Sequence, residues 1–216
     1  MTRIRNKLQF SDALDMEFSW RLKEIDDLRQ LIKTSQSIRQ RTLLRAGLAM
    51  LYAHWEGFIK AASELYLNYL AHKKIPYQEL RLCLVALGLK GYVNTIEVSG
   101  KAESNMAAVK FITENLSKPA KLPFKDSIET GSNLSSANFK MIADWIGVDA
   151  EPYLIHSQFI DSSLVGRRNQ VAHGESIDLE FDDYKNLSEE VIKLLRYFKV
   201  DLENSVVNEK YLMVNA

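Results

Sequence analysis

The sequence predicts an all-α fold, a helical bundle of long antiparallel helices with one inserted loop region. Two observations predict it: apolar residues recur every three or four positions through most of the chain, and the breaks between these stretches are short. The composition, 46% hydrophobic and 26% charged residues in a chain of 216, is typical of a globular protein with one sizeable core. We therefore expect residues 1–216 to form a single domain.

The first two predicted helices are long. The first begins at Ser11, a suitable N-cap, and carries apolar residues every three or four positions up to Ile32. The second runs from about position 39 to 73 and is apolar around more of its circumference, so we expect it to lie centrally. Trp55 and Phe58 fall on its apolar stripe, where core packing is more frequent than a base-stacking role.

The middle of the chain is less regular. Pro76 opens a short predicted helix that ends at Leu87, because two glycines and the β-favouring segment YVNTIEVSG follow, which indicates a turn or a short strand. A further helix is predicted for residues 102–116. Residues 117–136 combine two prolines, a glycine and several serines, which is typical of a long ordered loop, and inserted loops often carry specificity.

The last third of the chain contains three predicted helices. Each has a cap at one end, a serine or aspartate at the start or a glycine just after the end. Their predicted limits are Ser135 or Ser136 to Gly147, Tyr153 or Gln158 to His173, and Asp182 or Asp183 to about Asn204.

Charge and cysteine content exclude several classes. Lys plus Arg and Asp plus Glu both number 28, so any nucleic-acid site must be a local patch. The single cysteine, Cys83, excludes an intramolecular disulfide and a multi-cysteine zinc site, and we expect a buried core thiol. The N-terminus has no apolar signal region and no segment is long and apolar enough to span a bilayer, so we predict a cytoplasmic protein. No sequence motif for a metal or cofactor is present.

The segment LVGRRNQVAHGE groups polar residues that suit RNA cleavage without a metal. On a helix, Asn169 and His173 are neighbours, and Arg168 lies between the apolar stripe and this polar edge. A histidine near its ordinary pKa of about 6.5 can take a proton from a ribose 2′-OH or give one to the leaving 5′ oxygen. Arg168 would hold the scissile phosphate, and Asn169 would orient the imidazole or a phosphate oxygen.

A purely structural interpretation of the same residues stays open at this point. Histidine followed by glycine at a helix C-terminus is favourable by itself, because the helix dipole favours an imidazolium and Gly174 can adopt the left-handed conformation. The two arginines would then do no more than pair with solvated carboxylates.

Two stretches resemble the HEPN superfamily, the higher eukaryotes and prokaryotes nucleotide-binding domains. The run RNQVAH fits the signature of an arginine, a polar residue, three further residues and a histidine. Together with LLRAGLAMLYAHWEGFIKAASELYLNYL, it resembles the bacterial MAE-type group, which is associated with defence and toxin–antitoxin gene neighbourhoods. The resemblance implies an HEPN-like fold with the motif on a helix that one more long helix follows.

The resemblance also implies a function. HEPN ribonucleases cleave RNA without a metal through the arginine and histidine of the motif, which match Arg168 and His173, and Asn169 matches the polar position. They typically act as homodimers with both motifs in one cleft. We therefore expect a toxin or phage-defence endoribonuclease, with an antitoxin or another defence-system protein as a possible partner. The alternative is a non-catalytic helical module that binds a nucleotide, RNA or protein.

Other polar residues have weaker predicted roles. Arg167 is interpreted as an RNA-backbone contact. Glu56 would orient His173 or Arg168 if its helix packs beside the motif helix, and His54 is placed at the surface or in a supporting position. A metal site formed by His54 and Glu56 is disfavoured, because residues two apart on a helix point to different sides.

The remaining histidines and the basic groups complete the candidates. His72 and His156 are interpreted as ordinary surface or capping residues. A basic group that borders the motif in space would extend an RNA-binding track. The basic groups are Arg39, Arg41 and Arg45; Lys73 and Lys74; and Lys118, Lys121 and Lys125.

Overall fold

A computed structural model describes residues 3–213, and it confirms the all-α prediction. Within this range the chain forms eight α-helices and no strand beyond two isolated bridges. The helices are α1 (Lys7–Thr34), α2 (Ser37–Lys73), α3 (Leu82–Val98), α4 (Ala102–Asn115), α5 (Ser136–Ile146), α6 (Glu151–Leu154), α7 (Arg167–Ala172) and α8 (Phe181–Val207). A 3₁₀ turn (Tyr77–Glu79) and a π-helical segment (Phe159–Gly166) complete the elements.

The three longest helices, α1, α2 and α8, pack against one another and form the centre of the bundle. Helix α1 begins at Lys7, before the predicted Ser11, because the Asn6 side chain accepts a hydrogen bond from the backbone N–H of Gln9 and caps the helix. Helix α8 begins with a capping box between Glu180 and Asp183, one or two residues before its predicted start.

Helix α2 lies centrally, as its broad apolar surface predicts. Every residue from 62 to 70 is buried, which a helix reaches only when other elements cover it on all sides. Trp55 and Phe58 are fully buried core residues, and the Trp55 indole N–H donates a hydrogen bond to the Leu134 carbonyl at 3.1 Å. Their predicted core role is confirmed.

The predicted break after Leu87 is wrong, because α3 starts at Leu82 and continues to Val98. The glycine at 88 is a packing position: a Cβ there would lie 2.7 Å from a ring carbon of Tyr77. The β-favouring segment is therefore helical up to Val98, and α3 forms a hairpin with α4. Cys83, expected in the core, is only partly buried.

Helix α5 matches its prediction closely. The Ser135 side chain accepts a hydrogen bond from the Asn138 N–H at the start, and Gly147 has φ +75° at the end. Residues 117–135 contain no helix, as expected for the inserted loop. None of the described helices is long and apolar enough to span a lipid bilayer.

Candidate active site

A change of helix type precedes the motif residues. The prediction of one uninterrupted helix up to His173 is wrong, since Phe159–Gly166 is π-helical and α-helical geometry resumes at Arg167. A Cβ on Gly166 would lie 3.2 Å from the Asp161 carbonyl oxygen, so the glycine suits this wider turn. Segments of π-helix are frequent at functional sites because they redirect the following side chains.

The π-helical segment is fixed to the rest of the bundle. Ile160 and Leu164 are fully buried on its inner side. On its outer side, the Asp161 carboxylate accepts hydrogen bonds from the backbone N–H and the hydroxyl of Ser136, at 2.7 and 2.5 Å, at the start of α5. The motif helix α7 therefore starts from a rigid support.

His173 lies at the C-terminal end of α7, as the sequence predicts. Its backbone N–H donates a hydrogen bond to the Asn169 carbonyl at 2.9 Å, and Gly174 follows with φ +76° in the left-handed region. The side chain of His173 is exposed. This histidine is open to a ligand from solvent.

Arg168 is held in place by two contacts. Its guanidinium donates a hydrogen bond to the Asn169 side-chain oxygen at 2.9 Å. The guanidinium carbon also lies 4.0 Å from the centroid of the Tyr52 ring on α2, a cation–π arrangement. The described residues contain no carboxylate in ion-pair range of Arg168, so its charge is uncompensated at short range.

Tyr52, beneath Arg168, is buried and held at its hydroxyl. The phenol oxygen accepts a hydrogen bond from the Leu134 N–H at 2.8 Å, which ties the inserted loop to α2. Burial raises the pKa of Tyr52, and the carboxylate of Glu56 adds to the increase; the Leu134 hydrogen bond and the charge of Arg168 act in the opposite direction. Tyr52 is therefore neutral under Arg168 at ordinary pH.

Glu56 lies one helical turn after Tyr52 and faces the same loop. Its carboxylate accepts a hydrogen bond from the Thr130 hydroxyl at 2.5 Å. No hydrogen bond or ion pair joins Glu56 to Arg168 or His173 in residues 3–213. Glu56 and Arg168 are linked only through Tyr52, which both of them influence. That Glu56 orients the motif stays a prediction, and in this structure any such effect would act through Tyr52.

His54 points to the opposite side of α2, and its predicted surface position is wrong. It is only 4% exposed, because α1 covers it, and its ring packs edge-on against Trp20. Its Nε2 lies 3.1 Å from a Glu24 carboxylate oxygen, within ion-pair range but without hydrogen-bond geometry. Burial lowers the pKa of His54; the Glu24 carboxylate opposes this effect and the Arg21 charge adds to it.

Arg167 and Arg168 diverge, although they are adjacent in sequence. Arg168 packs on Tyr52, whereas Arg167 lines a shallow cavity of about 220 Å³ whose lining includes Asp183 and Glu190 of α8. The predicted backbone contact by Arg167 is untested by this geometry.

The other two histidines make local contacts. His156 lies with Nδ1 2.8 Å from a Glu190 carboxylate oxygen, and His72 with Nδ1 2.8 Å from the Asn68 carbonyl oxygen. His173 is therefore the single histidine that one chain contributes to the motif. Among the residues that the structure describes, no three His, Cys, Asp or Glu side chains are grouped to hold a metal ion.

The comparison with protein families gives a match over most of the chain. The family model described as MAE_28990-like HEPN matches residues 10–211. The chain belongs to this HEPN family. The matched range includes α2, α8 and all but the first three residues of α1 in this HEPN protein, together with the segment that contains Arg168, Asn169 and His173. No curated protein and no solved structure matches the chain.

Sequence reasoning found the motif of this HEPN domain and missed its support. Tyr52 and Leu134 lie far from Arg168 in the sequence, and although Tyr52 belongs to a stretch that resembles the family, nothing in that stretch links it to Arg168. The one available indication was the spacing of Tyr52 and Glu56, which places both on one face of α2.

Proposed function

We propose that this HEPN protein is a metal-independent endoribonuclease that acts as a toxin or phage-defence effector. Two features of the motif support it most strongly. His173 is exposed, and Arg168 is fixed in position yet has no carboxylate partner in the described part of the chain. A proton-transfer group and a fixed cation are the two elements that cleavage by an internal nucleophile requires.

In the proposed reaction, the ribose 2′-OH is the nucleophile, so the substrate is RNA. The imidazole of His173 takes the proton of the 2′-OH while the 2′ oxygen forms a bond to phosphorus. The bond from phosphorus to the 5′ oxygen breaks, and that oxygen receives a proton from a general acid. The products are a 2′,3′-cyclic phosphate and a 5′-OH end, and no water or metal is consumed in this step.

Arg168 stabilises the phosphate as its negative charge increases. One guanidinium N–H is directed to Asn169 and one face of the plane covers Tyr52, which leaves further N–H donors of the five for phosphate oxygens. A guanidinium already fixed in position loses little conformational freedom when the phosphate binds. Asn169 contributes by holding the guanidinium plane.

We infer that the active form is a homodimer. Acid and base catalysis in one step needs two proton-transfer groups, and each chain supplies one motif histidine. A second copy with its motif across the same cleft would supply the other. Sedimentation velocity should show a dimer at concentrations where RNA is cleaved, and activity in a strictly monomeric protein would contradict this inference.

The test of the function is incubation with a mixed structured and single-stranded RNA pool in EDTA. We expect cleavage by the native protein and none by Arg168→Ala or His173→Ala, with circular dichroism showing that both variants fold. Arg196→Ala, an exposed arginine on α8, is the matched control and should cleave normally. Equal cleavage by all four proteins would contradict the assignment of Arg168 and His173.

The non-catalytic alternative is favoured by one observation. The Arg168 side chain already contacts Asn169 and Tyr52, which is also what a purely structural arginine would do. In that case the native protein would bind a nucleotide, RNA or a protein without cleaving RNA, and Arg168→Ala would reduce the melting temperature. Cleavage by the native protein in EDTA that is lost in both motif variants would exclude this alternative.

A further inference from the structure

One face of α2 lies along the motif helix and carries residues of different charge. Arg41, Arg45, Tyr52 and Glu56 recur at intervals of four, seven and four residues, which places them on one side of the helix. Tyr52 contacts Arg168 of α7, so this side of α2 borders the candidate active site.

The arginine end of this face forms a groove with the chain that follows His173. The groove has a volume of about 320 Å³, and Arg41, Arg45 and Ser176 contribute polar groups to it. The Arg45 guanidinium donates a hydrogen bond to the Glu175 carbonyl, which fixes the backbone two residues after His173. We call this feature the Arg41–Arg45 groove.

The charges around the groove favour an anion. Arg41 is exposed and has no hydrogen bond or ion pair within residues 3–213, while Asp178 is the one carboxylate among the lining residues. Two arginines against one aspartate leave a net positive charge. On the other side of Arg168 lies the Glu56 carboxylate, which would repel a phosphate.

The groove is distant enough to bind a second phosphate. Arg41 and Tyr52 are eleven residues apart on one helix, which corresponds to roughly 16 Å along its axis. A phosphate at Arg168 therefore cannot be the phosphate at Arg41. A continuous strand that passes His173 would reach the groove with a nucleotide a few positions further along.

We propose that the Arg41–Arg45 groove binds a backbone phosphate of single-stranded RNA a few nucleotides away from the cleaved linkage. This rests on the proposed function, since it assumes that the strand crosses Arg168 and His173. The contact is to the backbone, so it raises affinity for any sequence and directs the strand toward the arginine end of α2. The Glu56 carboxylate disfavours a phosphate at the opposite end of this face.

The test measures binding separately from cleavage. The affinity of His173→Ala for a labelled single-stranded oligoribonucleotide is measured by fluorescence anisotropy at several salt concentrations, alone and combined with Arg41→Gln. The matched control is Arg39→Gln, which removes the same charge from the same helix but lies outside the groove.

We expect Arg41→Gln to weaken binding at low salt by roughly threefold or more. The slope of log K against the logarithm of the salt concentration should become less steep by about 0.7, the value for one lost phosphate contact on a single strand. Arg39→Gln should leave the salt dependence unchanged. Equal effects of the two variants, or no binding of RNA by the native protein, would overturn the proposal.

Cleavage by the otherwise native protein separates this proposal from the proposed function. In EDTA, Arg41→Gln should raise KM for the oligoribonucleotide and leave kcat close to native. Binding that depends on Arg41 without any cleavage by the native protein would support the groove and contradict the nuclease. Normal cleavage with a KM unaffected by Arg41→Gln would contradict the groove and leave the nuclease in place.

Discussion

The two sides of α2 contain similar groups in opposite states. Toward α1, the Arg21 guanidinium carbon lies 4.3 Å from the centroid of the Trp20 ring, and His54 packs against the same tryptophan. Toward α7, Arg168 covers Tyr52 at 4.0 Å, and His173 follows one turn later. Each side therefore combines an arginine, an aromatic ring and a histidine.

The difference lies in what the polar groups can still bind. Arg21 is 6% exposed and donates hydrogen bonds to the carboxylate and the backbone carbonyl of Glu17, at 2.5 and 2.6 Å. His54 is equally closed off by α1. On the α7 side, Arg168 has no carboxylate partner in the described chain and His173 is exposed. The same chemistry thus supports the core on one side and is free for a substrate on the other.

The largest expected effects come from replacing each of the two histidines, His173 and His54, by alanine. His173→Ala should reduce the rate of RNA cleavage by about 10²- to 10⁴-fold, the usual contribution of a general acid or base, with a stability change within about 0.5 kcal/mol. His54→Ala should retain the cleavage rate and lose about 1 to 3 kcal/mol of unfolding free energy, because a buried side chain is removed. Initial rates and denaturant unfolding measure both quantities.

The reverse pattern, with His54→Ala inactive and stable and His173→Ala active, would contradict the distinction between the two sides of α2. A cleavage rate that is unchanged in both variants would place the activity elsewhere in the molecule.

Two substitutions of Tyr52 separate the ring from the hydroxyl. Tyr52→Leu removes the aromatic face under Arg168 and should lower kcat by roughly tenfold, since a cation–π contact contributes about 0.5–2 kcal/mol. Tyr52→Phe keeps the ring, so kcat should remain near native. It should cost about 1–3 kcal/mol of stability, because the Leu134 N–H loses its acceptor.

The measurement is kcat and KM beside the melting temperature for both variants. If Tyr52→Leu and Tyr52→Phe lose kcat to the same degree, the hydroxyl and not the ring positions Arg168. If neither loses kcat, Tyr52 has only a structural role.

The smallest expected effect is the pH dependence that His54 adds to stability. Its pKa is lowered in the folded protein by burial, so below the unfolded value of about 6.5 the unfolded chain binds a proton that the folded chain does not. The unfolding free energy should therefore fall as pH decreases below about 6.5, by at most about 1.4 kcal/mol per pH unit from this group. Above about pH 6.5 the histidine is neutral in both the folded and the unfolded chain, so this loss of stability is absent there.

Comparing native protein and His54→Ala between pH 5 and 8 isolates this contribution. The difference in unfolding free energy between the two proteins should shrink toward acid pH. A difference that grows toward acid pH would mean that the Glu24 carboxylate, and not burial, dominates the pKa of His54.

The fold was predictable where local signals determine it. The three-to-four-residue periodicity predicts the central helices, and the serine and glycine around α5 predict its ends. The helix at Gly88 was not predictable, because the reason for the glycine is the distant ring of Tyr77. The π-helical segment has only eight residues, which is too short for its apolar spacing to be distinguished from that of an α-helix.

The candidate site divides in the same way. Arg168, Asn169 and His173 lie within six consecutive residues, so one pattern contains them all. The Tyr52 ring contacts Arg168, and the Leu134 N–H contacts the Tyr52 hydroxyl, only through the packing of α2, α7 and the inserted loop. His54 looked equivalent to Glu56 in the sequence, and only the position of α1 shows that it is buried.

The most direct test of the central claim compares the two arginines in one experiment. Native protein, Arg168→Ala and Arg21→Ala are assayed for RNA cleavage in EDTA, and the melting temperature is measured on the same preparations. We predict that Arg168→Ala is inactive with a melting temperature near native, and that Arg21→Ala is less stable by about 1–3 kcal/mol yet cleaves RNA below its melting temperature. Cleavage of RNA by Arg168→Ala would contradict the account. So would a native protein that does not cleave RNA together with an Arg168→Ala variant that is destabilised as much as Arg21→Ala.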